Sequence, residues 1–441
     1  MADSFFRRVW RWHFWAGLVA CPVLLVVALT GALYTFREEI EDWQQADVRL
    51  VEPVGERRPL SEQIATVKAA HPDWKPTRVT LPADPRKSTV VQVERPGAEK
   101  GALPAVFVYP YTAAVIADGD VRSPFFSAVL TLHRSLFAGT FGRIAVELTT
   151  SWTLVLLISG VFLWWPDRWS RVWGVWLPRL RSNPYVVLRD LHTVGGVILA
   201  PVIALIAFTG LFFTVVWLWS FNGVSNGAGN FPRDLLAAPP SQAQSAKATP
   251  VSVDVAVAAA RERFPHQTLS LTLPKKPTDS FAFTARSRGG PSVDGSVAVD
   301  QYTGAVLSDK RAEHLSAVEQ ARLYVLPIHM GTIGGTATKV LALVACLVLA
   351  GLGVSGMWMW LARRPAGRTG FPRASEARVP KLVVVLILLL AVALPTVGLS
   401  LVVVLAAEWL YGRLRQRSPA STTIETVVEA PVLSVPHELL K

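Results

Sequence analysis

Four of the eight histidines stand at matched places in a doubled pattern. His13-x-x-x-Gly17, Pro22 and Thr30-Gly31 recur as His192-x-x-x-Gly196, Pro201 and Thr209-Gly210, at a constant offset of 179. His133, Gly139-Thr140, Arg143, Ser159-Gly160 and Trp164 recur as His329, Gly335-Thr336, Lys339, Ser355-Gly356 and Trp360, at a constant offset of 196. Between these blocks, Tyr111-Thr112 with Ala114-Val115 matches Tyr302-Thr303 with Ala305-Val306. Agreement at this many fixed offsets predicts that one unit has been duplicated. Both copies start on the same side, so they are parallel repeats, related by an axis along the membrane normal that brings each residue to its mate.

Two imidazoles meeting on such an axis could bind a metal. No carboxylate or thiolate is repeated beside them, so a tetrahedral zinc site is poorly served. Haem needs only two axial ligands from the protein, and bis-histidine ligation between helices suits two histidines per site. The expectation is two b-type haems, one held by His13 and His192 and one by His133 and His329, forming an electron path between the two faces of a membrane. Gly17 and Gly196, one turn beyond their histidines, are expected to make room for a macrocycle. Arg11 and Arg189 near one pair, and Arg134, Arg143 and Lys339 near the other, are expected to meet haem propionates. His71, His266, His314 and His437 have no mates and read as surface residues. Cys21 and Cys346 sit inside apolar runs, which leaves no disulfide framework or thiolate metal site. Glu147, whose mate is Leu343, is expected to pair with Arg143 one turn away on the same helix. The Trp-rich ends of the apolar runs read as an aromatic belt. There is no G-x-G-x-x-G between strand and helix, no Walker A and no H-E-x-x-H, so electrons must come from a cytoplasmic partner or a quinol.

The elements that position these residues follow from composition. Of 441 residues 51% are hydrophobic and only 17% charged, against about 25% charged in an ordinary soluble domain. The fold class expected is a polytopic α-helical membrane protein. Its duplicated two-span units form a four-helix haem-binding bundle with two small α+β domains and a C-terminal apolar segment. Spans are expected at Phe14–Phe36, Ile144–Trp165, Thr193–Trp219 and Val340–Leu361, the first as a retained anchor; Leu382–Leu410 is expected as a fifth span kinked at Pro395, or else a hairpin. Lys and Arg concentrate before the first span, between the second and third, and after the fourth, which places those segments in the cytoplasm and the polar stretches 40–125 and 225–320 outside it. Each polar stretch reads as a helix then three strands: Leu60–Ala70, Arg78–Leu81, Thr89–Glu94 and Ala105–Tyr109, then Val253–Arg263, Leu269–Leu273, Ser280–Ala285 and Ser296–Asp300.

The resulting division is 1–36 with the first span, 37–125 the first domain, 126–165 an interfacial segment and second span, 166–191 a basic loop and 192–219 the third span. A linker, 220–248, leads to the second domain, 249–312; then follow an interfacial segment and fourth span, 313–361, a basic loop, 362–381, the fifth run, 382–410, and a tail, 411–441, of which Pro419–Lys441 reads as disordered. The cytoplasmic segments hold 14 Lys and Arg against four acidic residues, most of the formal net charge of +12. The basic charge is therefore a topology signal, and nothing remains to argue for a nucleic-acid partner; membrane lipid is the partner it implies.

The opening Arg-x-x-Trp-Arg-Trp-His13-x-x-x-Gly17, the Leu132-His133-Arg134 segment, Ser159-Gly160-x-x-x-Trp164-Trp165 and the paired Tyr-Thr turns resemble the PepSY-associated transmembrane proteins over about residues 5–410. The resemblance implies a bacterial inner-membrane protein with two periplasmic PepSY domains on a bundle holding two b-type haems, with His13, His133, His192 and His329 as ligands. It further implies a ferric-siderophore reductase, whose single-electron delivery loosens iron because oxygen donors hold Fe(II) far more weakly than Fe(III). Two alternatives are a cytochrome serving another periplasmic acceptor and a non-enzymatic PepSY binding module. One departure from the pattern is Ala113, where the second copy has Gly304.

Overall fold

The structure is a computed structural model and describes residues 2–98, 102–225, 227, 230–241, 249–372 and 380–417. Residues 242–248 of the linker, Arg373, Glu376, Arg378, His437 and the tail from 418 lie outside the described residues. The chain begins with a long apolar helix α1 (Ala2–Thr35), then α2 (Arg37–Gln44), α3 (Ala46–Arg49) and α4 (Leu60–Ala70). Strands β1 (Lys75–Leu81), β2 (Thr89–Glu94), β3 (Pro104–Val108) and β4 (Val115–Asp120) follow, then α5 (Pro124–Ser135) and the long α6 (Gly139–Trp164). The second half runs through the long α7 (Pro184–Leu211), the short α8 (Val216–Val224) and α9 (Arg233–Leu236), and α10 (Val253–Arg263). Next come β5 (Thr268–Thr272), β6 (Phe281–Arg286), β7 (Gly295–Val299), β8 (Val306–Arg311), α11 (Ala317–His329) and the long α12 (Thr336–Arg363), with α13 (Lys381–Ala393) and α14 (Pro395–Arg417) last.

Helices α1, α6, α7 and α12 have the length and composition to cross a membrane. Only 22–28% of each apolar window is buried inside the protein. Outward residues such as Val19, Ile198 and Val354 are exposed, a surface that lipid rather than water satisfies. α1 and α7 each pack against both α6 and α12, closing a four-helix bundle. Two expected boundaries move. α7 begins at Pro184, capped by Asn183, so Arg189 lies on the helix and not in a loop. α7 ends at Leu211, short of the expected Trp219. The interfacial segments are helices α5 and α11, which pack on α1 and α6 and on α7 respectively.

The early end of α7 has a cause that lies on another helix. Glu147 is fully buried on α6, and its carboxylate accepts backbone N–H bonds from Val215 (3.0 Å), Val216 (2.9 Å) and Trp217 (2.8 Å). It therefore caps the first turn of α8, where unpaired N–H groups favour an anion, and the expected ion pair with Arg143 is not made. Trp217 in turn donates from its indole to the Ala393 carbonyl at 2.9 Å, and Leu211, Trp217, Leu394 and Val397 form one core. The fifth apolar run is consequently two helices that turn sharply at Leu394. A Cβ at Gly398 would stand 2.7 Å from the Ala391 carbonyl oxygen.

The two polar stretches build one eight-stranded antiparallel sheet in the order β4-β3-β2-β1-β5-β6-β7-β8. Its centre is the β1–β5 pair, from Arg78 opposite Thr272 to Leu81 opposite Leu269. The expectation of separate three-stranded domains is corrected twice here. The halves share a sheet, and each has a fourth strand. Val115–Asp120 and Val306–Arg311 carry Asp118, Asp120, Asp309, Lys310 and Arg311, charges that suit an edge strand and hide its period. α4 and α10 cover one face over Val79, Val91, Leu271 and Phe283. They are joined where Asp254 accepts from the Ser61 N–H (3.1 Å), the Ser61 hydroxyl and the Ser252 hydroxyl (2.9 Å). Ala113 adopts the left-handed φ of 59° that Gly304 adopts at 72°, so the Tyr-Thr turn keeps its shape without the glycine.

A tight corner between α5 and α6 fixes His133. A Cβ at Gly142 would stand 1.7 Å from the Ser135 carbonyl oxygen. In the other half the glycine is on the facing side: a Cβ at Gly331 would stand 2.7 Å from the Thr338 carbonyl oxygen. Gly142→Ala is expected to destabilise the full chain by about 3 kcal/mol, the upper end for overpacking. Gly351→Ala, with open space at its Cβ, should leave it unchanged. Thermal unfolding in detergent checks the pair, and equal midpoints for both variants would contradict the corner.

Asp254 predicts a pH dependence. Its partial burial would raise the carboxyl, but the Ser61 and Ser252 hydrogen bonds outweigh it and hold the group below the ordinary carboxylate range. Its stabilisation is thus complete above the unfolded value of about 3.9 and is lost as pH falls through the lower folded value. The unfolding midpoint of the wild type should fall more steeply than that of Asp254→Asn below about pH 4; parallel curves would contradict this.

Candidate functional site

Each of the four matched histidines is seated in a notch made by a hydroxyl residue and the glycine after it. At the end of the bundle far from the sheet, His13 Nδ1 lies 2.8 Å from the Ser159 hydroxyl and His192 Nδ1 lies 3.0 Å from that of Ser355. Ser159 and Ser355 spend their own protons on carbonyls in the preceding turn, at 2.9 and 2.6 Å. The serine oxygens therefore accept, and the histidine Nδ1 atoms carry the protons. At the sheet end, His133 Nδ1 donates to the Val27 carbonyl at 3.0 Å and His329 Nδ1 to the Ile206 carbonyl at 2.9 Å, beside the hydroxyls of Thr30 and Thr209. A carbonyl can only accept, so the tautomer is again fixed.

The glycines let the rings approach. A Cβ at Gly31 or Gly210 would stand 3.1 Å from Cε1 of His133 or His329, and one at Gly160 or Gly356 would stand 3.4 Å from Cε1 of His13 or His192. These dipeptides are Thr30-Gly31, Thr209-Gly210, Ser159-Gly160 and Ser355-Gly356, all visible as repeats in the sequence but legible there only as helix packing. Gly17 and Gly196, expected to make room for a macrocycle, instead face Leu156 and Leu352, where a Cβ would stand 3.9 and 3.4 Å from the leucine methyls.

The histidines meet as the doubled pattern suggests. The ring centroids of His13 and His192 are 6.5 Å apart and those of His133 and His329 are 6.3 Å apart. Two imidazoles ligating one metal from opposite sides, each at about 2 Å, place their centroids roughly 6 Å apart. Among the described residues none of the four Nε2 atoms has a hydrogen-bond partner, and no group of three or more His, Cys, Asp or Glu could hold a metal ion. The donor set thus fits a group that brings its own equatorial donors and needs two axial nitrogens, as haem does. Fixing Nδ1–H on a protein acceptor is also what orients a ligating imidazole.

The sheet-end pair lines a cavity of about 540 Å³. Its depth is apolar, with Leu24, Val27, Ile203, Ile206 and Ala345; its mouth is cationic, with Arg37, Arg122, Arg134, Arg143, Arg286 and Lys339. The expected propionate partners divide. Arg134 and Arg143 line the mouth, Arg143 reaching the Phe213 carbonyl at 3.4 Å. Lys339 is buried and already paired with Glu39 at 2.7 Å. Burial would raise the Glu39 carboxyl, but that hydrogen bond and the charges of Lys339 and Arg288 outweigh it and hold the group below its ordinary range. At the far end Arg189 and Arg179 both bind Asp190, at 2.9 and 2.7 Å. The Arg11 Nε is buried with no partner. Arg37, Arg122 and Arg286 have no repeat mates, so nothing in the sequence pattern places them here. Of the histidines expected at the surface, His266 and His314 are exposed; His71 is half-buried, stacked on Trp74 and 2.8 Å from Asp118.

The family model described as PepSY-associated TM region matches residues 10–363, most of the chain and all four paired histidines. The chain belongs to that family. Among curated proteins nothing matches it.

The notches give a local test. Gly31→Val should push the His133 ring out of its seat and speed its modification by diethyl pyrocarbonate several-fold, with His13 unchanged. Mass spectrometry of the modified peptides reads this, and equal rates at His133 would contradict the notch.

Proposed function

We propose that the protein is a di-haem electron-transfer protein of the bacterial inner membrane that reduces the iron of ferric siderophores. The observation that carries this reading is the pair of facing imidazole pairs, each with Nδ1 committed and Nε2 open, at opposite ends of one apolar bundle. His13 with His192, and His133 with His329, would hold one b-type haem each. Such a group supplies single-electron transfer at a potential that its ligands and surroundings set. Arg134 and Arg143 at the sheet end, and Arg11 at the other, would meet its carboxylates. The apolar depth of the cavity keeps water from the centre, and the fixed Nδ1–H bonds hold the rings through a change of charge.

Orientation follows from the basic segments. Arg7 and Arg8, the stretch from Arg168 to Arg181, and Arg363 with Arg364 all stand at the end far from the sheet, which the positive-inside rule places in the cytoplasm. The sheet, read as two PepSY domains of a duplicated unit, then lies in the periplasm above the His133/His329 cavity. Electrons would arrive at the cytoplasmic pair from a soluble partner or a quinol and leave from the periplasmic one. No covalent catalysis is needed: proximity and a docking surface suffice, because Fe(II) leaves oxygen donors far more readily than Fe(III).

The purified protein should show a Soret band and sharp α and β bands on reduction, with two haems per chain. His133→Ala/His329→Ala should keep one, and the reduced wild type should be reoxidised by a ferric chelate on rapid mixing. A protein without a Soret band would overturn the reading, and full haem in the double variant would overturn the ligand assignment.

A further inference from the structure

The cationic mouth of the sheet-end cavity holds more charge than its carboxylates can answer. Six cations converge there from six places in the chain: Arg37 on α2, Arg122 after β4, Arg134 on α5, Arg143 on α6, Arg286 on β6 and Lys339 on α12. Two are matched within the protein. Arg37 binds Glu41 at 3.1 Å and Glu38 at 3.6 Å, and Lys339 binds Glu39. Glu38 is the acidic residue of the cavity lining. Among the described residues Arg122, Arg134, Arg143 and Arg286 have no acidic partner, and the Nε of Arg122 is buried with no hydrogen bond at all. The two carboxylates of one haem would answer half of these four charges. These arginines also stand at the end where the positive-inside rule disfavours them, so topology does not explain them.

The geometry points to a second anion site at this mouth, formed by Arg122 and Arg286 beside the haem-facing Arg134 and Arg143, that takes a ferric chelate of net negative charge. Carboxylate or catecholate chelates have that character, and neutral or cationic hydroxamate chelates do not. Guanidinium groups suit such oxygens because each offers two parallel donors. Arg122 and Arg286 come from the sheet layer, so the chelate would sit between the sheet and the bundle, against the cavity that His133 and His329 line. The excess charge would also draw the anion in, an effect that salt screens.

This inference rests on the reductase reading for the identity of the anion, but its test needs no electron. Gallium(III) citrate, anionic and inert to reduction, and gallium(III) desferrioxamine B, cationic, are titrated separately into the purified full-length protein by calorimetry. The citrate chelate should bind at least about tenfold more tightly, and its binding should weaken about tenfold between low and high salt. Arg122→Gln/Arg286→Gln should lose about tenfold in affinity for it while its Soret absorbance per chain is unchanged. Equal binding of the two chelates, affinity unchanged in the variant, or loss of haem from the variant would each overturn the proposal. A wild type lacking haem would sink the reductase reading alone and leave the gallium titration readable.

Discussion

The arrangement depends on one hydrogen bond made four times: an imidazole Nδ1–H held by an acceptor on a neighbouring helix. In an apolar bundle an unpaired polar group is expensive, so each histidine must find a partner or be excluded. Meeting that need on Nδ1 leaves Nε2 without a hydrogen-bond partner among the described residues. The hydroxyl residues serve the Nδ1 side, and the glycines remove the side-chain bulk that would otherwise keep the ring away. α1 and α7 are seated against α6 and α12 by the same contacts, since His13 on α1 is gripped by Ser159 on α6 and His192 on α7 by Ser355 on α12. Helix packing and site geometry are thus set by the same residues, as expected where helices associate through small side chains and close approach.

The sheet layer and the bundle are built on different physics but meet at the cavity mouth. The sheet is held by an ordinary apolar core under α4 and α10. Its contribution to the site is charge, from Arg122 and Arg286. The bundle contributes the apolar depth and the imidazoles. Glu147 shows the cost of irregularity within the membrane layer: where α7 stops and α8 restarts, one buried carboxylate satisfies three backbone N–H groups that lipid could not.

Much of this was legible in the sequence, and the misses have identifiable causes. Helices over 60–70 and 253–263 stand where their spacing put them, because each has one clear apolar face. The edge strands β4 and β8 were missed because solvent-facing charge breaks their alternation. The end of α7 was missed because its signal is Glu147, remote in sequence, while the apolar run continues through Trp219. The notches were present as repeated Ser-Gly and Thr-Gly pairs. A matched hydroxyl beside a matched glycine is a seat for a matched histidine as well as a packing feature. Arg122 and Arg286 could not have been found, since only the shared sheet brings them over the bundle.

On the proposed function, the two imidazole pairs each ligate one haem iron. Low-temperature electron paramagnetic resonance of the oxidised protein tests it most directly, because the signal reports both the ligands and the angle between their planes. The rings of His13 and His192 stand at 78° and those of His133 and His329 at 55°. Two low-spin ferric signals in equal amount are expected, at least the first strongly anisotropic, as near-perpendicular imidazoles require. A high-spin ferric signal, or one low-spin species accounting for all the iron, would contradict it.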